Sequence, residues 1–274
     1  MIKIINKNKT PSYLYILIIN QTLITMISVM NNEYDLLSVG EIVKKMPKAA
    51  RVFSKLKVDF CCGGNINFID ACTRKSVEPD EIWDQIINSQ QKETSSNDLN
   101  FDSFDVDFLA DYIENVHHKY LYEKLPEINQ IVTKVYNKHH EKYGYLNELF
   151  ALYTELEADL LGHLPKEENV LFPYAKNLVL NKKANTTPER AFFGSINNPL
   201  TVMNDDHNRV GEIIHRLRVI TNDYTPPTDA CNSHLLMLDM LKDLDDNLIQ
   251  HIHLENNILF PKIVLLEESL LGKN

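Results

Sequence analysis

The sequence predicts an all-α protein, with a small N-terminal helical domain carrying a CCGG motif and a C-terminal four-helix bundle. Three observations carry that prediction. From Asp105 onward, apolar residues recur at three- and four-residue intervals in four long blocks, approximately 105–140, 145–180, 198–222 and 232–270. Glycine and tryptophan are scarce, at 8 and 1 in 274 residues, which argues against a turn-rich sandwich of strands. A segment ending in LFP occurs twice, each time inside one of the apolar-periodic blocks, as a duplicated two-helix unit would give.

Residues 1–34 read as an N-terminal extension. Thr10 to Asn32 holds no charge, and Tyr13–Met30, YLYILIINQTLITMISVM, has the length of a membrane span. Asn20, Gln21, Thr22, Thr25 and Ser28 interrupt the run, and no small-residue cleavage site follows it. Three readings stand: translation starting at Met30, where MNNEYDLLSVGEIV turns polar; an anchor or signal held inside by Lys3, Lys7 and Lys9; or an ordinary helix. The first is favoured.

Residues 35–91 form the small helical Cys-Cys domain. Its amphipathic stretches, Val39–Met46, Ala49–Leu56, Ile66–Cys72 and Pro79–Ile87, are separated by Pro47, Gly63-Gly64 and Pro79. A polar segment poor in apolar residues, QQKETSSNDLNFDS, then places a linker at 92–104. The bundle occupies 105–274, with breaks at Lys142-Tyr143-Gly144, at Asn181–Pro199 and at Asn222–Thr228, which contains Pro226-Pro227.

Composition narrows the function. With 44% hydrophobic and 24% charged residues the chain can bury a core and is not a disordered one. Its 28 basic and 38 acidic residues leave a net charge of −10 and no basic run, so a nucleic-acid partner is not expected. Four cysteines, two of them adjacent, do not make a secreted disulfide framework, and a cytoplasmic location fits better.

The repeat carries the chemistry. HLPKEENVLFP at His163–Pro173 matches HIHLENNILFP at His251–Pro261, and each is preceded by a block with its own histidine: His118 in VHHKYLYEKLPEI and His207 in MNDDHNRVGEII. His163 and Glu167, like His251 and Glu255, stand at i and i+4 and therefore project from one helical face. One such pair means little, since surface partners share the spacing. Two pairs in register bring four imidazoles and two carboxylates toward one interior point. Buried glutamates need a cation, and imidazole with carboxylate and no thiolate suits a pair of iron or manganese ions that the carboxylates can bridge. His117, His139, His140, His215, His234 and His253 have no counterpart in the repeat and are read as structural.

Cys61-Cys62 before Gly63-Gly64 is the second chemical feature. A thiol at the start of the helix near Ile66 would be favoured as thiolate by the helix dipole, making it a nucleophile, a soft-metal ligand or a redox switch. A bond between adjacent cysteines is strained and labile, hence regulatory. Cys72 is a candidate resolving thiol, and Cys231 is read as packing in the bundle.

DFCCGGN at Asp59–Asn65, the doubled His/Glu repeat and the TPP loop at Thr225–Pro227 occur in an order that resembles the Repair of Iron Centres family of hemerythrin-like di-iron proteins, over about residues 35–270. The resemblance implies a hemerythrin-like bundle holding two iron ions per chain, a non-haem, oxo-bridged di-iron centre. Its ligands would be His118, His163, His207 and His251, with Glu167 and Glu255 as bridges; His118 rather than His117 keeps the family spacing to LPEI. It further implies repair of iron-sulfur proteins damaged by nitric oxide or oxidative stress, by iron donation with Cys61 and Cys62 as the working thiols, and a homodimer. Two alternatives stay open: nitric oxide reduction at the metal pair, and reversible binding or sensing of oxygen or nitric oxide. One departure bears on the site, since Pro165 falls between His163 and Glu167, where a proline removes one backbone bond and can kink the helix or widen the local turn.

Overall fold

The computed structural model describes residues 34–46, 48–56, 58, 60, 64, 66–91 and 101–272. The apolar run 13–30, Met30, most of the linker, and Cys61, Cys62 and Gly63 lie outside the described residues. Among those described, no helix is long and apolar enough to cross a membrane. The chain divides into two compact units, Met1–Val58 with Asn65–Lys92, and Asp59–Gly64 with Glu93–Asn274.

Among its described residues the first unit contains four short helices, α1 (Val39–Lys45), α2 (Ala49–Lys55), α3 (Phe68–Lys75) and α4 (Pro79–Gln91). Ser38 and Glu41 form a reciprocal capping box that satisfies amide groups at the start of α1. Asn67 caps α3 by accepting from the Ile69 amide, and Ser76 ends that helix in the left-handed conformation. Ile42, Phe53, Phe68 and Ile86 make its core, with Tyr34 and Trp83 packed edge-on or tilted around Phe68.

The second unit is built on four long helices. Helix α5 runs through Val106–Tyr112, Ile113–His118 and Lys119–His139; α6 through Tyr145–Lys166, Glu167–Leu171 and Phe172–Ala184; α7 is Asn197–Ile220; α8 runs through Asn232–Leu254, Glu255–Leu259 and Phe260–Leu271. Helix α5 packs on α6 and α8, and α6 on α7. Asn185 closes α6 in the left-handed conformation, and Asn222, Asp223 and Tyr224 do so consecutively after α7. That left-handed turn costs about 1–2 kcal/mol per residue, and it is held by Thr221 Oγ1 accepting from the Tyr224 amide and the Arg218 carbonyl accepting from Asp223.

The middle segments of α5, α6 and α8 are π-helical. Their cause is visible in the buried positions. Ile113, His117, Leu121 and Leu125 on α5, His163, Glu167, Leu171 and Ala175 on α6, and His251, Glu255, Leu259 and Ile263 on α8 each keep a spacing of four. Every such step overshoots an α-helical turn by about 40°, so three would carry the buried face roughly 120° around the helix. A wider π turn absorbs the drift and keeps the face inward. Helix α7, whose buried Leu200, Met203, His207, Val210, Ile214 and Leu217 mix steps of three and four, remains α throughout. Pro165 does not interrupt α6, and the π turn follows at the same place in α8, which has His253 instead of a proline.

Candidate metal centre

A layer of polar side chains crosses the interior of the bundle between two apolar clusters, one containing Leu121, Leu156, Ile213 and Leu248, the other Leu109, Phe172, Leu200 and Ile263. The layer consists of His118 on α5, His163 and Glu167 on α6, His207 on α7, and His251 and Glu255 on α8, none more than 3% exposed. All six residues singled out by the repeat are thus brought together.

They form two sets that share both carboxylates. His118, His251, Glu167 and Glu255 make one, and His163, His207, Glu167 and Glu255 the other, with the ligand atoms of each set within 4.8 Å of one another. The Nε2 atoms of His118 and His251 are 3.1 Å apart, as are those of His207 and His163. Glu167 Oε2 lies 3.4 Å from His118 Nε2 and 3.3 Å from His163 Nε2, while Glu255 reaches His251 Nε2 at 2.9 Å with Oε1 and His207 Nε2 at 3.2 Å with Oε2. An octahedral ion with bonds of about 2.1 Å sets neighbouring ligand atoms about 3.0 Å apart, so these separations suit donors converging on one point per set.

The hydrogen bonding is incomplete in the same sense. Both oxygens of Glu167 and Oε2 of Glu255 are buried and, among the described residues, accept no hydrogen bond. An orphaned buried carboxylate oxygen costs several kcal/mol, a cost that a cation removes. In the metal-free arrangement, burial works against a charge on His118 and His163, but the attraction of Glu167 and Glu255 overcomes it and holds them protonated, up to about 10 and about 9. Burial pushes both carboxyls up and the histidines more than offset it: Glu167 is held below the ordinary range by His163 and His118, and Glu255 well below by His251, His118 and His207. The site is built to carry positive charge between two carboxylates, and four imidazoles with two carboxylates are a donor set for iron or manganese.

An outer ring orients the imidazoles. His118 Nδ1 meets Glu168 Oε1 at 2.8 Å, His163 Nδ1 meets Asp206 Oδ2 at 3.1 Å and His207 Nδ1 meets Asn256 Oδ1 at 2.9 Å. With Nδ1 donating to these acceptors, Nε2 is the nitrogen turned to the interior, and it offers its lone pair to an ion once its proton has left. Phe172 and Phe260, the aromatic residues of the two LFP segments, stack on His118 and His207 at 5.5 and 6.0 Å. The sequence reading passed over Glu168, Asp206 and Asn256, although each is the chain neighbour of a residue it named.

Other expectations meet the structure differently. His117, read as structural, is buried and stacks on His251. Cys61 and Cys62 lie outside the described residues. Cys72 is buried, and burial pushes its thiol up to about 11, which disfavours the thiolate that a resolving cysteine needs. Cys231, expected to pack in the bundle, is exposed, because it stands at the N-cap before α8 begins, 3.2 Å from His139 Nε2.

Comparison with known proteins fits this geometry. Residues 111–263 match the hemerythrin HHE cation binding domain, and residues 37–90 match a domain of unknown function, DUF542. The chain is 32% identical over 233 residues to the iron-sulfur cluster repair protein YtfE of Cronobacter sakazakii, which covers 84% of this chain and 97% of that protein. It is 31% identical over 230 residues to YtfE of Pectobacterium atrosepticum, covering 82% and 95%. To the iron-sulfur cluster repair protein ScdA of Staphylococcus haemolyticus it is 29% identical over 224 residues, covering 82% and 96%.

Proposed function

The chain belongs to the hemerythrin-like family of iron-sulfur cluster repair proteins, and from that premise we propose that its bundle binds two iron ions and gives up iron to rebuild damaged clusters in other proteins. The observation that carries this reading is the pair of buried carboxylates, each facing two histidine pairs and each with an oxygen that accepts no hydrogen bond. His118 and His251 would hold one ion, His163 and His207 the other, and Glu167 and Glu255 would serve both. Bound iron supplies the cargo and a redox-active centre; the residues around it fix the imidazoles, exclude water and balance charge.

Donation requires a site that can be emptied without collapse. The two apolar clusters above and below the layer hold the helices together independently of any ion. The helical domain at 35–91 would present Cys61 and Cys62 to the damaged client as thiols able to receive iron or dock on the cluster. Free cysteines at Cys72 and Cys231 accord with a cytoplasmic setting, where such clients are found.

The test is metal content per chain after anaerobic purification without added metal, followed by incubation with a dehydratase whose cluster has been damaged by nitric oxide. About two irons per chain and recovered dehydratase activity are expected, and Cys61→Ser with Cys62→Ser should spare the iron but impair recovery. Zinc, or a folded protein without metal, would overturn the reading.

A further inference from the structure

The two metal positions have unequal outer rings. The repeat pairs Glu168 with Asn256 and sets both behind the histidine of a neighbouring helix, His118 and His207. It also pairs Asp206, the residue before His207, with His117, the residue before His118. Asp206 accepts from His163 Nδ1 at 3.1 Å and is itself held by Lys166 Nζ at 2.8 Å. His117 gives His251 nothing equivalent. It lies parallel to the His251 ring, with centroids 5.5 Å apart and planes within 8°, and turns its own Nδ1 toward Asn247 Oδ1 at 3.3 Å. As a result, among the described residues, His251 Nδ1 is buried with no partner, and so is His117 Nε2.

One position therefore has both imidazoles anchored, His163 by Asp206 and His207 by Asn256. The other has only His118 anchored, by Glu168. A ligand histidine without an outer acceptor is a weaker donor and is less firmly oriented toward the ion, and loss of such a partner typically costs about 10- to 100-fold in metal affinity. We infer that the ion on His118 and His251 is the one released first, and that His117, standing where the other half carries Asp206, is the positioning residue that sets the difference. This rests on the two-iron reading above and names which iron is the cargo.

The experiment uses the full chain loaded with iron, reduced to the ferrous state and mixed with excess ferrozine. Two phases of equal amplitude are expected, separated about 10-fold or more in rate. His117→Asp copies the other half and offers His251 Nδ1 an acceptor, so it should slow the fast phase about 10-fold and leave the slow phase in place. Asp206→His makes the opposite copy and should speed the slow phase about 10-fold. Should His117→Asp fold poorly, His117→Asn provides the neutral acceptor that Asn256 gives His207, and should slow the fast phase as well. Mössbauer spectra of the loaded variants give a readout independent of release: two distinct ferrous sites in the parent should move toward one in His117→Asp. Release of both irons in one phase, or a fast phase unmoved by either His117 variant in a folded protein, would overturn the inference. A chain that binds no iron would instead sink the reading on which it rests.

Discussion

Asp245 and Glu255 lie on the same helix, α8, and both are buried, yet their surroundings follow opposite rules. Asp245 receives Arg218 Nε and Nη2 on its two oxygens, each at 2.6 Å. Glu267, further along the chain and also buried, accepts from the Tyr174 hydroxyl at 2.7 Å, the Ile196 amide at 3.0 Å and the Ser195 hydroxyl at 3.1 Å. Both carboxylates are supplied by the chain itself. Glu255, and Glu167 beside it, face imidazoles and keep oxygens that accept no hydrogen bond. A buried carboxylate with its partners in place fixes structure, whereas one that the fold surrounds and leaves unsupplied is a socket for something the sequence does not encode.

Exchanging the two kinds of carboxylate for alanine should give effects of different kind. Glu255→Ala, which removes a donor from both metal positions, should lower iron affinity by more than about 100-fold while the metal-free bundle keeps its helicity, since an unsupplied charge has been deleted along with the ligand. Metal analysis and circular dichroism on one sample check it, and retained iron would break the comparison. Asp245→Ala should leave iron content unchanged but lower unfolding free energy in urea by about 3–5 kcal/mol, the cost of breaking a buried ion pair from one side. Joint replacement, Arg218→Met with Asp245→Leu, should recover most of that loss.

A smaller effect sharpens the same contrast through pH. His118 and His163 are held protonated in the metal-free site, up to about 10 and about 9, above the roughly 6.5 of a free imidazole. A raised folded-state value stabilises below the unfolded one and loses that stabilisation as pH climbs through the folded one. The metal-free protein should therefore weaken from about pH 6.5 up to about pH 10 while the iron-loaded protein does not. Loading at pH 7 should also release about two protons per chain, measurable by calorimetry in buffers of different ionisation enthalpy. Equal alkaline sensitivity of the two forms would show that protons are not standing in for the cation.

The four apolar blocks read from the sequence fall on the four long helices, and the repeat brought six side chains into one layer, because a duplicated helical pair preserves facing positions along with spacing. What stayed hidden was anything set by contacts between helices. Glu168, Asp206 and Asn256 act across to another helix, so no spacing along their own helix singles them out. His117 was set aside because the repeat offers it no matching histidine; that mismatch with Asp206 was itself the signal. Pro165 left open a kink or a widened turn in α6; the helix continues through it into the π turn at Glu167–Leu171, and the Asn169 side-chain amide donates to the Pro165 carbonyl. The π turns were legible as unbroken steps of four, a pattern easily taken for ordinary amphipathicity.

Those π turns give the bundle a tolerance that its packing alone would not suggest. Each can be regarded as one residue inserted into an α-helix, so α5, α6 and α8 carry a phase change at the level of the polar layer. A single-residue deletion at Asn169 or Val170 would let α6 revert to unbroken α geometry and still leave Ala175, Leu178 and Val179 facing the core they now fill, whereas the same deletion in an α segment of the helix would turn everything after it by about 100°. A change of one residue in length is thus absorbed at the level of the polar layer and nowhere else along these helices.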